Sequence, residues 1–243
     1  MSGYGEFSAV YDRLMQREDY QTRGNYLLQV FAAHGDKPQS LIDLGCGGGR
    51  MTRLMASQGL DMIGVDGSPQ MLSIATAETP INSGILWVCQ DLRELDLYGT
   101  CDGAISTYDC LNHLTNDGDL RRFFERLYFF LTPDGLLVFD ANTPYKHTAV
   151  LGDSTFVYDT PDVYCVWQNH TENLTTRITL DLFTPQTTGY TRVREQFAER
   201  GYTTEEIEQA AAGKFALQAV YDDLTFAQPR ADSQRLIYVM KKQ

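Results

Sequence analysis

A short apolar segment that runs directly into a glycine cluster constrains the fold of this chain more than any other feature. Residues 40–44 (SLIDL) have the composition of a buried strand, and residues 45–49 (GCGGG) follow at once. Because glycine has no Cβ atom, such a segment can turn tightly and can touch a ligand with its backbone. We therefore predict a strand, a ligand-binding loop and a helix that begins near Arg50, as in α/β sheets that bind ligands beyond the carboxyl ends of their strands.

Strands and helices alternate along most of the chain. Apolar segments predict further strands at 60–66, 85–89, 101–107, 136–139, 215–224 and 235–241. Helical spacing of apolar residues occurs between many of them, and also within 7–33. Strands that are apolar throughout and alternate with helices are typical of a parallel sheet covered on both faces. The predicted fold class is therefore α/β, with a mostly parallel sheet and helices on both faces.

Residues 150–202 interrupt this pattern. Segments 164–169, 175–183 and 191–197 alternate polar and apolar residues, which predicts a small antiparallel β insert. One face of the insert should be apolar and should carry Val166, Ile178, Leu180 and Leu182. The insert either covers the ligand cleft as a substrate lid or forms a homodimer through its open strand edges.

The remaining residues form the main domain in this interpretation. It comprises 1–149, with a helical lid at the N-terminus, and 203–243, which begins with the capping box Thr203-x-x-Glu206.

Composition excludes several classes of partner. The net charge is −12 and no run of Lys or Arg occurs, which disfavours binding to nucleic acid or to anionic lipid. Five cysteines without a Cys-x-x-Cys pair, and four scattered histidines, give no zinc-ligand spacing, so we expect no metal site. We recognise neither a signal peptide nor a membrane-spanning segment, and we therefore expect a cytoplasmic protein without membrane partners.

Two positions bear on the choice of cofactor. Asp66 ends the second predicted strand, where a carboxylate can bind a ribose diol in NAD-binding and in S-adenosylmethionine-binding domains alike. The dinucleotide pattern G-x-G-x-x-G/A, counted from Gly45, places Arg50 at its last small position. An NAD-dependent oxidoreductase is therefore an alternative that Arg50 disfavours.

The motifs from residue 40 to 140 resemble those of the class I S-adenosylmethionine-dependent methyltransferases. The four matching segments, in the family's order, are 43–49 (DLGCGGG), 65–72 (VDGSPQML), 90–92 (QDL) and 131–137 (LTPDGLL). The resemblance implies a seven-stranded Rossmann-like sheet whose last strand is antiparallel, and S-adenosyl-L-methionine as the cofactor. The remainder, including 11–14 (YDRL) and 109–112 (DCLN), is similar to an uncharacterised bacterial subgroup with a β-meander after strand five.

The candidate cofactor residues follow from the glycine pattern and from this resemblance. The cofactor loop would comprise Asp43, Gly45, Cys46, Gly47 and Gly49. The resemblance implies that Asp66, followed by Gly67, binds the ribose, that Asp91 and the Leu92 amide bind adenine, and that Met71 covers the adenine face. It places Tyr108 and Asp109 near the methionine half, and Tyr11 in the N-terminal lid. Each has a plainer alternative, such as a turn, a cap or a core position.

Five polar residues are candidates on the substrate side, and each could equally be an ordinary surface residue: Asn112, His113, Asn142, Tyr145 and His147. The segment 142–145 (NTPY) is similar to the Asn-Pro-Pro-Tyr motif of amino-methylating enzymes. However, it differs in one residue and follows strand five, so we interpret it as coincidence.

The predicted reaction is direct displacement of a methyl group onto oxygen or nitrogen of a small molecule. Such a transfer needs alignment of the nucleophile and, only for a protonated acceptor, a general base. A protein that binds S-adenosylmethionine without turnover is a further alternative.

Overall fold

The computed structural model describes residues 19–35 and 37–243. Its α-helices are α1 (Tyr20–His34), α2 (Arg50–Ser57), α3 (Pro69–Ala77), α4 (Asp119–Leu127) and α5 (Thr204–Ala211). Its strands are β1 (Ser40–Leu44), β2 (Asp61–Asp66), β3 (Leu86–Cys89), β4 (Cys101–Ser106), β5 (Leu131–Asn142), β6 (Thr155–Asp159), β7 (Tyr164–Glu172), β8 (Thr175–Pro185), β9 (Tyr190–Arg200), β10 (Phe215–Asp222) and β11 (Arg235–Lys242). Within these described ranges, no helix is both long and apolar enough to span a bilayer.

The larger sheet has seven strands in the order β10–β11–β5–β4–β1–β2–β3. The pairs β1–β2, β2–β3, β1–β4 and β4–β5 are parallel. Strand β11 is antiparallel to both β5 and β10. The prediction of a mostly parallel sheet whose last strand runs antiparallel is therefore confirmed.

Helices cover both faces of this sheet, as predicted. In β1, Leu41 packs into one apolar cluster, and Ile42 and Leu44 pack into the other. Successive side chains of a strand point to opposite faces, so a strand covered on both sides must be apolar at nearly every position. The first cluster takes its helical residues from α1 and α2, and the second from α4 and α5.

The helix starts that position the site are encoded locally. Gly49 adopts a left-handed conformation (φ +76°) immediately before α2. Ser68 caps α3 through its side chain, with Pro69 in the first turn. The predicted capping box of Thr203 and Glu206 is present in both directions at the start of α5.

The smaller sheet is antiparallel, in the order β6–β7–β8–β9. Strands β7, β8 and β9 are the three predicted ones, whereas β6 was not predicted. Ile178, Leu180 and Leu182 are buried together on one face, hereafter the inner face. The placement of Val166 on that face was wrong. Cys165 pairs with Leu182, so alternation puts Val166 on the outer face opposite Asp181.

Candidate cofactor and acceptor site

Left-handed glycines shape the loop after β1. Gly45, Gly47 and Gly49 have φ values of +76°, +53° and +76°. A Cβ atom on Gly45 would lie 2.0 Å from Cys110 Sγ, and one on Gly49 would lie 2.3 Å from the Trp87 ring. A Cβ on Gly47 would meet nothing closer than the side chain of Met71, at 4.0 Å. Gly45 and Gly49 are therefore required for packing, while Gly47 leaves open space beside Met71, and cofactor contact there stays a prediction.

Asp66, at the end of β2, is tied to this loop. One carboxylate oxygen accepts a hydrogen bond from the Gly47 amide (2.8 Å), and the other accepts one from the Ser68 amide (2.8 Å). Burial raises the pKa of Asp66, although both hydrogen bonds act in the opposite direction. An ionised carboxylate offers about four acceptor positions. Two therefore remain for the hydroxyl groups of a ribose, so the residues present suit the adenosyl group.

Asp43 lies beneath the cofactor loop, and Cys46 packs within it. Asp43 is 1% exposed and accepts a hydrogen bond from Thr52 Oγ1 (2.5 Å), which fastens α2 to β1. Burial raises the pKa of Asp43 to about 7. Burial likewise raises the pKa of the Cys46 thiol, as in a packed, unreactive cysteine. Direct cofactor contact by either side chain stays a prediction.

Asp91 follows β3, next to the end of β2. The Gln90 amide donates to the Asp66 carbonyl (3.1 Å), which keeps the two strand ends together below the exposed Gly67. The Asp91 carboxylate binds Arg93 through Nε (2.8 Å) and Nη2 (2.5 Å), and these bonds lower its pKa. The Leu92 side chain is buried in the core. Asp91 and Asp66 thus occupy adjacent strand ends, and their adenine and ribose roles stay predictions. Arg93 was not among the predicted residues.

Two consecutive left-handed residues follow β4. Tyr108 and Asp109 have φ values of +60° and +55°, which are uncommon outside glycine and are found where the surroundings enforce them. Both amides donate to the carboxylate of Asp140, at 2.8 and 2.6 Å. Asp140 itself is buried and is paired with Arg23 (3.2 Å) and Arg235 (2.8 Å). This buried anion holds the turn in its strained shape.

Sequence reasoning missed Asp140 and its two arginines. The available signal was a charged residue at the end of the wholly apolar segment 136–139 (LLVF), where a carboxylate needs partners if it is buried. The arginines come from α1 and β11, which are distant in sequence. Arg23 also lies over the Tyr108 ring (4.8 Å), and the ring of Tyr20 is 5.0 Å from that of Tyr108. Helix α1 is therefore packed against the end of β4.

Asn142 connects the two sheets at the carboxyl end of β5. Its Nδ2 donates to Asp109 (2.7 Å) and more weakly to Glu199 of β9 (3.4 Å), and its Oδ1 accepts from Lys146 Nζ (3.0 Å). Burial alone would raise the pKa of Asp109, but Arg235 and Lys146 outweigh it and lower that pKa to about 2. Burial and the charge of Asp109 raise the pKa of Glu199 to about 8.

His113 lies in the turn after Asp109. Its ring stands 5.4 Å from the ring of Phe197 on β9, and its Nε2 is 4.0 Å from Glu199 Oε1. Burial lowers the pKa of the imidazole, although the charges of Asp109 and Asp66 act in the opposite direction. The structure therefore brings the candidates His113, Asn142 and Asp109 together, and adds Glu199, which was not predicted.

The other substrate-side candidates have different surroundings. Asn112 is fully buried, and its amide group bonds to the backbone of Asn142 (2.9 and 3.1 Å) and of Arg200 (2.7 Å). His147 is fully buried with Nδ1 2.8 Å from Thr176 Oγ1, and burial lowers its pKa to about 4. Tyr145 is exposed. These contacts favour structural roles for the first two, and substrate contact by all three stays a prediction. Tyr11 lies outside the described residues.

The sheet order, the glycine loop after β1 and the acidic residues after β2 and β3 define an S-adenosylmethionine-binding α/β domain. Comparisons with known proteins agree. A family model described as "Methyltransferase domain" matches residues 41–135. The methyltransferase-family protein YqeM of Bacillus subtilis (strain 168) is 30% identical, over 98% of this chain and 97% of its own length.

Solved structures extend the similarity to both sheets. An S-adenosylmethionine-dependent methyltransferase from Clostridium acetobutylicum is 25% identical, with a TM-score of 0.87 and coverage of 98% of each chain. The S-adenosylmethionine-bound amino pentose methyltransferase CalS10 from Micromonospora echinaspora shares the fold at 19% identity, with a TM-score of 0.78 and coverage of 98% and 96%. The chain belongs to the family of S-adenosylmethionine-dependent methyltransferases. It is thus an enzyme with S-adenosylmethionine as its cofactor, and both alternatives, the oxidoreductase and the binding protein without turnover, are set aside.

Proposed function

We propose that the enzyme methylates nitrogen or oxygen of a small molecule that binds between the carboxyl ends of β4 and β5 and the inner face of the smaller sheet. The observation that carries this proposal is Glu199. It projects from the inner face of β9 to the amide of Asn142, beside the turn of Tyr108 and Asp109. The smaller sheet therefore packs over the end of the larger sheet at which ligands of such folds bind.

The cofactor, when bound, supplies a sulfonium methyl group with an excellent leaving group. The chain's own task is then to align the acceptor atom with the methyl–sulfur axis and to exclude water. We assign the ribose to Asp66, adenine to Asp91, and the methionine half to the surroundings of Tyr108 and Asp109. The rigid Asp140 turn suits this last role, because alignment of a nucleophile demands a fixed wall.

The segment 150–202 is, in this proposal, an acceptor-selecting lid on a domain formed by 1–149 and 203–243. The contact of Phe197 with His113 supports the lid, since it covers part of the inner face from within the same chain. A homodimer would then use the open edges of β6 or β9. The similarity of both sheets to an amino pentose methyltransferase supports a small-molecule acceptor, and the charge of −12 argues against nucleic acid. All five cysteines are free thiols, which suits the cytoplasm.

The test has two parts. Calorimetry should show binding of S-adenosylhomocysteine and none of NAD. Methyl-labelled S-adenosylmethionine should then transfer its label to members of a panel of amino sugars, small amines and phenols. Labelling only of RNA, DNA or protein from a cell extract would contradict the small-molecule assignment.

A further inference from the structure

We propose that His113 and Glu199 form a dyad that removes the proton from the methyl acceptor. His113 takes the proton on Nδ1, and the carboxylate of Glu199 orients the imidazole through Nε2. This inference rests on the proposed function, because it concerns an acceptor that arrives with a proton on its nucleophilic nitrogen or oxygen.

The two side chains have the exposures that such roles require. The His113 side chain is 37% exposed, at the carboxyl end of β4, whereas that of Glu199 is 7% exposed behind it. Their Nε2–Oε1 distance of 4.0 Å is longer than a hydrogen bond, and catalytic hydrogen bonds are often this long before ligands bind. The Phe197 ring supports the imidazole. His113 can thus meet a ligand while Glu199 cannot, so Glu199 is a positioning residue.

His113 ends the turn that begins after Asp109, at the carboxyl end of β4. Burial lowers the pKa of its imidazole, and the charges of Asp109 and Asp66 act in the opposite direction. The methionine half of the cofactor is assigned to the same turn, so an acceptor atom aligned with the transferable methyl group would lie on the side of the imidazole.

Glu199 has hydrogen-bonding capacity left for this task. Its bond from Asn142 Nδ2 is long (3.4 Å), whereas the same amide group donates a shorter bond to Asp109 (2.7 Å). The charged groups that act on Glu199 are Asp109, Lys146 and Arg235, which come from three different elements. Its other oxygen, Oε1, lies 4.0 Å from His113 Nε2, so the carboxylate can approach the imidazole while it keeps the bond from Asn142.

In the proposed dyad, the protonation of Glu199 sets which ring nitrogen of His113 carries the hydrogen. While Glu199 is protonated, it donates to Nε2, and the neutral ring carries its hydrogen on Nδ1. After Glu199 loses this proton, at a pH near 8, the ring hydrogen lies on Nε2 and Nδ1 is free to act as a base. The acceptor's N–H or O–H bond then breaks, its proton bonds to Nδ1, and its electron pair forms the new bond to the methyl carbon as the methyl–sulfur bond breaks and its electron pair stays on sulfur. Glu199 stabilises the imidazolium, which later releases the proton to water.

Nuclear magnetic resonance of ring nitrogens tests the dyad without an acceptor. The full chain, saturated with S-adenosylhomocysteine, should show a tautomer change of His113 from Nδ1–H to Nε2–H near pH 8. The change should be lost in Glu199→Gln and retained in the control Glu172→Gln, an exposed residue of β7. His147 is an internal reference, because its buried ring should not respond. A wild-type His113 tautomer change that persists in folded Glu199→Gln would overturn the proposal, and so would its absence from the wild type.

Turnover provides the second readout. With any acceptor found in the panel, His113→Asn should lower kcat by roughly 10²- to 10⁴-fold, the usual contribution of general-base catalysis. Glu199→Gln should abolish the rise in kcat near pH 8, and Glu199→Asp should restore part of it. Unchanged pH profiles in both Glu199 variants would refute the positioning role. If the panel yields no acceptor, the proposed function fails, while the resonance experiment still decides whether the dyad exists.

Discussion

The carboxylate of Asp66 accepts a hydrogen bond from the amide of Gly47, so the group assigned to the ribose also holds the shape of the cofactor loop. Asp66→Ala should therefore remove a ligand contact and loosen the loop. We expect the affinity for S-adenosylhomocysteine to fall roughly ten- to a hundredfold, the usual cost of losing a hydrogen bond to an ionised group. Calorimetry measures the change. Asp61→Ala, at the exposed start of the same strand, is the control, and equal affinities in both variants would show that the pocket is misplaced.

The contributions of Asp91 and Arg93 to cofactor binding can be distinguished by comparing two variants. If Asp91 binds adenine, Asp91→Ala should weaken S-adenosylhomocysteine about tenfold or more, because the lost bond involves an ionised acceptor. Arg93→Ala should have a smaller effect, since it leaves the carboxylate in place. Equal losses in the two variants would indicate that the pair acts only as a structural ion pair.

Gly45, Gly47 and Gly59 all have positive φ but differ in their surroundings, so replacing each by alanine should affect stability and cofactor binding to different degrees. Gly45→Ala should prevent normal folding, because its Cβ would collide with Cys110 Sγ. Gly59→Ala has open space and should cost only the left-handed strain, about 1–2 kcal/mol. Gly47→Ala should cost a similar amount of stability but should weaken cofactor binding in addition. Urea unfolding and calorimetry measure both properties, and a Gly47→Ala variant with full affinity would count against cofactor contact at that position.

These glycines also show how far the sequence could lead. Residues 40–49 and the caps at Ser68 and Thr203 are local signals, so the sheet class, the cofactor loop and the helix starts were predictable. On the acceptor side, His113, Asn142 and Asp109 were among the candidates, but Glu199 was not predictable, because it is far from Asp109 in sequence and meets it only when the smaller sheet packs on the larger one. Alternation in β9 puts Glu199 on the same face as the apolar Phe197. The same alternation also puts Glu195 on that face, so the sequence pattern alone does not distinguish the two carboxylates.

Asp140 should be the most sensitive polar position in the core. Asp140→Ala leaves two strained amides and the guanidinium groups of Arg23 and Arg235 without their buried anion. Removing one partner of a buried ion pair typically costs about 3–5 kcal/mol. Urea unfolding should show a loss of this size. Asp102→Ala, which removes a half-exposed carboxylate bonded to two amides, should cost less, and a smaller loss for Asp140→Ala than for Asp102→Ala would contradict this account.

Glu199→Gln should stabilise the protein at high pH while it impairs catalysis. The pKa of Glu199 is raised from about 4.5, its ordinary value, to about 8 in the folded chain, mainly by burial. Folding therefore favours the protonated form, and the stability linked to this group is present below pH 4.5 and is lost as the pH rises towards 8.

Glutamine resembles the protonated acid and cannot ionise, so the variant should lack this loss. We expect Glu199→Gln to match the wild type near pH 4 and to exceed it by on the order of 4 kcal/mol at pH 8. Urea unfolding of both proteins and of the exposed control Glu172→Gln would measure the difference. Parallel pH dependence in all three would mean that Glu199 ionises freely and that the turn of Asp109 does not confine it. Glu199→Gln should therefore raise the free energy of unfolding at high pH and lower kcat. This is the result expected of a buried carboxyl group whose role lies in the reaction and not in folding.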